Sequence, residues 1–201
     1  QYIDDINSIL NSHGAEVMAR VEQEFLSEME RASGDADAML AIRRWRGRSC
    51  LTVALSDLAG LCDCETQMAW LSRAANAALR ASLAFLINLA VARGKIKRVD
   101  SSMRGCGWTI IALGKLGAEE LNYSSDVDLL ILHDLATAPL AKDQVQPFYV
   151  GLTRDLVRLL SATTADGIGW RVDLRLRPDP GATAVSIDID AAIGYYESLA
   201  R

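Results

Sequence analysis

The chain has 201 residues, half of them apolar and 23% charged, which is the composition of a globular protein with a sizeable core. Its formal net charge of −5 argues against a protein that binds nucleic acid by bulk electrostatics, because such domains usually carry a basic surface. The most apolar stretch, residues 77–91, is interrupted by Arg80 and Asn88, so no membrane-spanning segment is predicted. There is no signal-peptide pattern, and a first residue other than Met predicts a fragment.

The four cysteines lack the spacing of a metal site. Cys62 and Cys64 are separated by a single residue, and neither His13 nor His133 has a suitable partner nearby in the sequence. We therefore predict reduced, structural cysteines in a cytoplasmic protein.

The first half of the chain is predicted to be helical. Apolar residues recur at spacings of three and four over residues 2–32, 36–60 and 64–93. Gly94 and the cations that follow it are typical of a helix C-terminus. No segment here shows a catalytic pattern, so residues 1–98 are predicted to form a helical module that packs against the remainder.

A dense basic cluster lies within the second predicted helix and comprises Arg43, Arg44, Arg46 and Arg48. The simpler interpretation is a solvated helix face paired with acidic side chains. The alternative is a surface that binds phosphate or an acidic partner, since guanidinium groups match phosphate geometry.

Two short apolar runs, Thr109–Leu113 and Val127–Leu132, predict buried strands separated by turn signals. Side chains at i and i+2 share one face of a strand, so Asp126 and Asp128 are predicted to point the same way. Two carboxylates about 5 Å apart repel each other by roughly 3 kcal/mol at an effective dielectric of 20. A cation, a shared proton or full solvation would offset that repulsion, and Mg²⁺ is the simplest of these answers.

The residues around this pair fit a phosphate-binding site. Gly114 lets the backbone approach a phosphate closely, and Lys115 adds a positive charge. The pattern therefore indicates metal-dependent phosphoryl or nucleotidyl transfer. The alternative, a solvent-facing Asp-x-Asp beside a glycine turn, stays open on these residues alone.

Residues 170–178 show strict alternation and predict a further strand, which Pro178 ends. Its polar face carries Asp173 together with Arg175 and Arg177, as expected for a third metal ligand beside phosphate-binding cations; a solvated charge ladder is the alternative. Helices are predicted over residues 142–163 and 187–201.

Two longer motifs resemble one enzyme family. The run from Gly114 to Leu129 is similar to the signature G-K-L-G-x-x-E-L-N-x-S-S-D-x-D-L of the bifunctional glutamine synthetase adenylyltransferase/deadenylylase family, within the polymerase-β-type nucleotidyltransferase superfamily. Residues 171–178 match the family motif R-V-D-x-R-L-R-P. The resemblance covers roughly residues 40–201, whereas residues 1–35 match weakly, and Ala118 stands where many members have Gly.

The resemblance implies an α+β fold, with a helical module over residues 1–98 and a polymerase-β-like mixed sheet with flanking helices over 99–201. It implies that Asp126, Asp128 and Asp173 hold magnesium, as two ions. Gly114, Lys115 and Ser125 would contact the nucleotide phosphate, and Arg175 or Arg177 would hold orthophosphate. Glutamine synthetase, adenine nucleotide and a PII-type nitrogen-signalling regulator are the implied partners, without nucleic acid or membrane.

The family has two homologous halves with opposite reactions. The motifs here look more like the half that removes AMP from a tyrosine of glutamine synthetase by phosphorolysis, giving ADP. The adenylyl-transferring half is one alternative. A catalytically silent module that binds a regulator or glutamine is another, although a silent copy has no reason to retain all three acids. The family also continues past Tyr195-Tyr196 into a helix that this chain lacks.

Overall fold

The structure is a computed structural model that describes residues 6–97 and 105–199. Most of the predicted linker at 99–107, and the predicted domain boundary at residue 98, lie outside the described residues. The elements are a π-helical segment (Ile9–His13), α1 (Gly14–Arg31), α2 (Asp35–Leu58), α3 (Cys64–Ala92), β1 (Trp108–Ala112), α4 (Gly114–Gly117), β2 (Val127–His133), α5 (Lys142–Ser161), β3 (Val172–Asp173), β4 (Ile187–Asp188) and α6 (Ile189–Leu199). The α+β class is confirmed.

Helices α1, α2 and α3 pack on one another, as the apolar periodicity of the first half predicts. Stacked rings of Phe25 and Trp45, 5.5 Å apart, join α1 to α2. The indole of Trp45 also donates to the main-chain oxygen of Ala74 in α3, so this large buried side chain leaves no unsatisfied donor. The three helices therefore form a packed layer beside the sheet.

The ends of α3 follow from local sequence. The side chain of Asp63 accepts a hydrogen bond from the amide of Thr66 at 2.8 Å, which caps the N-terminus. At the other end Gly94 adopts a positive φ of 68°, and the amide of Lys95 donates to Ala90 at 2.9 Å, as the predicted glycine cap requires.

By length and composition α3 is apolar enough to span a membrane, although the sequence pattern predicted no such segment. The majority of residues in the most apolar part of this helix are buried inside the structure, and the helix contacts α1, α2 and α5. These contacts are those of a core helix.

Strand β2 is the centre of a small mixed sheet. It pairs antiparallel with β1, and Ala112 lies opposite Leu129. It pairs in parallel with β3 near its start and with β4 near its end. Since β1 occupies the other edge, β3 and β4 lie one after the other along the same edge of β2.

The predicted strand over residues 170–178 is wrong beyond Val172–Asp173. The carboxylate of Asp173 accepts the amide of Arg175 at 2.7 Å, and this side-chain turn directs the backbone away from β2. Leu176, which alternation would bury, is 52% exposed. The chain rejoins the sheet only at β4.

One large cluster of buried apolar side chains runs from the helical layer through β1, β2 and α5. A smaller cluster lies on the other face of β2, where Leu130 and Leu132 meet Ile187 and Ala192. Apolar side chains thus pack on both faces of strand β2. This packing fixes the position of the carboxylates at the N-terminal end of the strand relative to the core. The division of the chain into two domains stays a prediction.

A buried histidine ends β2. His133 is 2% exposed, its Nδ1 lies 2.9 Å from the hydroxyl of Ser186, and its ring stacks on Tyr149. Burial lowers the pKa of His133, an effect that Asp188 and Asp134 only partly oppose. The unfolded chain therefore takes up a proton at His133 more readily than the folded chain does.

We expect this histidine to make the fold acid-sensitive. The contribution of neutral His133 to the free energy of unfolding is complete above the ordinary histidine pKa of about 6.5. It is lost as the pH falls through the lower pKa that His133 has in the folded chain. The free energy of unfolding, measured by urea titration between pH 7.5 and 5, should fall by up to about 1.4 kcal/mol per pH unit from this group. His133→Gln should flatten that slope. Equal slopes in both proteins would contradict the assignment.

Candidate functional site

Two of the three predicted metal ligands are neighbours across a strand pair. Asp128 in β2 and Asp173 in β3 are register partners in the parallel ladder, and Asp126 lies just before β2. The amide of Val127 donates to the main-chain oxygen of Arg171 at 2.8 Å, so the entries of the two strands are joined directly. The sheet therefore brings these acids to one place although they are distant in sequence.

Arginines neutralise two of the acids. Arg171 donates through Nε to the carboxylate of Asp126, and its Nη2 binds the main-chain oxygen of Ser124. Arg175 binds the carboxylate of Asp173 through both Nε and Nη2, the latter at 2.5 Å. This contact holds the pKa of Asp173 below its usual range.

Asp128 lies in the opposite electrostatic environment. Partial burial raises the pKa of Asp128, and the negative charges of Asp173 and Asp126 raise it further. Arg175 opposes this rise only in part. The repulsion expected from the Asp-x-Asp pattern is therefore present at Asp128.

The donor chemistry of the three acids fits a hard divalent cation. Mg²⁺ prefers carboxylate oxygens and retains water or phosphate oxygens in its other positions. Over residues 6–97 and 105–199, however, no three His, Cys, Asp or Glu side chains converge as a ready set of metal ligands. Asp173 binds Arg175 through both carboxylate oxygens, and Asp126 binds Arg171 through Oδ1, so a metal held by all three acids would compete with these contacts.

Gly114 lies against the acid pair. It has a positive φ of 54°, and a Cβ built on it would lie 2.4 Å from Oδ2 of Asp128. Only a residue without a side chain leaves that carboxylate in place. The group that lies against this glycine is thus Asp128, and its predicted contact with a phosphate stays a prediction.

The remaining predicted binding residues have different surroundings. Lys115 is exposed in α4, next to Gly114. Ser125 donates its hydroxyl to the side chain of Asn122 at 2.7 Å. Arg177 donates to the main-chain oxygens of Leu174 and Pro180, so it braces the loop that follows β3.

The arginine cluster of α2 departs from the expected acid-paired, solvated face. Arg43 is 4% exposed and donates to main-chain oxygens at the end of α5 and in the following loop. Arg46 reaches loops that precede both acid-bearing strands. Arg44 and Arg48 are nearer to the expectation, since Arg44 is exposed and Arg48 pairs with Glu24. The sequence pattern did not reveal the long-range contacts of Arg43 and Arg46, because their acceptors are main-chain groups far along the chain.

The four cysteines are free, as predicted. Cys106 is buried and Cys64 is exposed. Burial raises the pKa of Cys106 and of Cys50, which favours the neutral thiol over the reactive thiolate.

Comparison with known families identifies the chain. Residues 2–201 match the family model described as glutamate-ammonia ligase adenylyltransferase. The chain belongs to this family. The match begins at residue 2, so family similarity also extends over residues 2–35, which lie outside both motifs.

Individual members of the adenylyltransferase family are also similar to the chain in sequence. The chain is 51% identical over 170 residues to the bifunctional glutamine synthetase adenylyltransferase/adenylyl-removing enzyme of Xanthobacter autotrophicus, covering 83% of this chain and 17% of that protein. It is 42% identical over 193 residues to the enzyme of the same name from Bradyrhizobium sp. strain ORS 278, covering 94% of this chain and 19% of that protein. The chain thus spans less than a fifth of the length of these relatives.

Proposed function

We propose that this chain removes AMP from an adenylylated tyrosine of glutamine synthetase by phosphorolysis and releases ADP. The observation that carries the proposal is the pairing of Asp128 with Asp173 on adjacent parallel strands, with Asp126 at the entry to the first. The names of the relatives support glutamine synthetase as the protein substrate. A PII-type protein is the proposed regulator, and the cytoplasm the proposed location.

The choice of half-reaction rests on the motifs. Residues 120–125 and 171–177 resemble the adenylyl-removing half of the family more closely than the transferring half. In this reaction an oxygen of orthophosphate forms a bond to the phosphorus of the tyrosyl-AMP. The bond from that phosphorus to the tyrosine oxygen breaks, and the oxygen leaves and takes up a proton. The products are ADP and unmodified tyrosine.

Asp126, Asp128 and Asp173 are the proposed ligands of magnesium, as two ions. When bound, magnesium would neutralise the charge that develops on the phosphate oxygens and on the leaving oxygen. The residues themselves supply position, because phosphoryl transfer depends chiefly on alignment and charge neutralisation.

Arg175 is the proposed orthophosphate ligand. Its side chain is 83% exposed and already lies at the acid cluster, so it can turn from Asp173 toward an incoming phosphate. Arg177 was the other candidate from the sequence, but its guanidinium group binds carbonyl oxygens of its own loop. Gly114, Lys115 and Ser125 are the proposed contacts of the nucleotide phosphate.

Gly114→Ala should lower the activity of the site more than it lowers the stability of the fold. The added methyl group would displace Asp128, and the positive φ would cost about 1–2 kcal/mol of strain. We expect turnover to fall by about ten- to a hundredfold, since small misplacements in an active site have effects of this size. Steady-state ADP release and urea unfolding measure the two effects.

The matched control is Gly151→Ala in α5, where a Cβ meets no atom within 4 Å. That variant should retain activity and be slightly more stable, because alanine favours a helix. Parental turnover in Gly114→Ala would show that the close contact with Asp128 is unimportant.

The proposed reaction is tested in both directions. The chain, and in parallel the longest protein that its gene encodes, is incubated either with adenylylated glutamine synthetase, magnesium and orthophosphate or with unmodified synthetase, magnesium and ATP. Phosphate-dependent ADP release supports the proposal. Incorporation of AMP from ATP by the chain itself, or incorporation by the longest protein that is lost in Asp128→Asn, would assign the chain to the transferring half. Neither activity, in a folded protein that binds glutamine synthetase, would favour the regulatory module.

A further inference from the structure

We propose that Arg46 of helix α2 is a positioning residue that sets the spacing between Asp126 and Asp173. This inference rests on the proposed function, and it gives the helical layer an indirect role in the reaction. Arg46 touches none of the acids and acts through the two loops that lead into their strands.

The strand pairing that aligns the acids is short. Strand β3 contributes only Val172 and Asp173 to the ladder with β2. The segments before these strands, 121–126 and 162–171, are mostly irregular in structure. A two-residue ladder offers little resistance to sliding or opening, so contacts outside it, among them those of Arg171, must help to fix the distance between the acids.

Arg46 makes contacts with both segments. Its Nη2 donates to the main-chain oxygen of Tyr123 at 3.1 Å, shortly before Asp126. Its Nη1 lies 3.5 Å from the main-chain oxygen of Ile168, shortly before Asp173. Its guanidinium carbon lies 5.8 Å from the ring centroid of Trp170, which orients the planar group. The planar guanidinium group of Arg46 therefore contacts both loops at once.

The neighbouring arginines do not share this bridge. Within the described part of the chain, Arg43 binds the end of α5 and the loop after it, together with its own helix. Arg44 is exposed on α2 and lies near the acidic side chains of α1. Arg44 is therefore a matched control in the same helix, with the same charge and without the bridging contacts.

The test compares Arg46→Gln and Arg46→Lys with Arg44→Gln in the longest protein that the gene encodes. For Arg46→Gln we expect kcat for ADP release to fall by about ten- to a hundredfold, with KM for adenylylated glutamine synthetase changed less than threefold. Mn²⁺ affinity, measured by calorimetry as a probe of the acid cluster, should fall by about tenfold. Arg46→Lys should recover only part of either loss, because an ammonium group cannot hold the planar fork.

Hydrogen exchange gives a measurement that does not require activity. The amide of Val127, which donates to Arg171 across the strand entries, should exchange about tenfold faster in Arg46→Gln than in Arg44→Gln. Unchanged kcat, Mn²⁺ affinity and exchange would overturn the positioning role while leaving the proposed function intact. A parent protein that releases no ADP would defeat the proposed function alone, since the exchange comparison would still decide the role of Arg46.

Discussion

Asp128→Asn is expected to lower the rate of phosphate-dependent AMP removal at least about a thousandfold while leaving the chain folded. Asn retains the size of the side chain but removes the negative charge proposed to bind magnesium. Asp126→Asn should behave in the same way. Steady-state kinetics of ADP release from adenylylated glutamine synthetase measure the loss.

The stability of these variants separates a lost ligand from a damaged fold. Burial and two neighbouring acids disfavour the ionised form of Asp128, so removing its charge relieves repulsion. The free energy of unfolding of Asp128→Asn should therefore equal or exceed that of the parent, with a gain of less than about 1 kcal/mol. Retained turnover would contradict the metal-binding role; lost turnover in an unfolded variant would be a failure of the fold.

Arg43→Met should cause the largest loss of stability that we predict, about 3 kcal/mol or more. The buried guanidinium donates to the main-chain oxygens of Met39, Leu159, Ala162 and Gly167, and methionine can satisfy none of them. Burial lowers the pKa of Arg43, and the negative charge of Asp166 opposes that effect only in part. Urea unfolding measures the effect.

Arg44→Met is the control for Arg43→Met, since it removes a charge from an exposed site on the same helix. It should change the free energy of unfolding by less than about 0.5 kcal/mol. Arg43→Lys should recover little, because one ammonium group cannot reach acceptors arranged for a guanidinium fork. A loss below about 1 kcal/mol in Arg43→Met would show that water replaces these hydrogen bonds.

The features that the sequence predicted well are those encoded locally. Helix α3 was predicted over residues 64–93 and extends from Cys64 to Ala92, because its capping residues lie next to its ends. Strand β2 was predicted from a run of apolar residues and is buried on both faces. Such signals need no knowledge of the rest of the chain.

The features that were missed depend on contacts between distant residues. Alternation over 170–178 is compatible with a strand, but the turn between Asp173 and Arg175 gives the backbone a local alternative to the ladder. The arginine cluster is evident in the sequence, yet the oxygens that Arg43 and Arg46 bind outside their own helix belong to residues more than seventy positions away. Main-chain acceptors have no signature in a sequence, so the predicted partners were acidic side chains.

The most direct test of the central claim traces the oxygen atoms of orthophosphate into the nucleotide product. Adenylylated glutamine synthetase is incubated with the protein, magnesium and ¹⁸O-labelled orthophosphate, and the nucleotide product is analysed by mass spectrometry. Phosphorolysis at this site predicts ADP that carries the label, and no product from Asp128→Asn. Unlabelled AMP, or labelled ADP formed equally well by Asp128→Asn, would contradict the account.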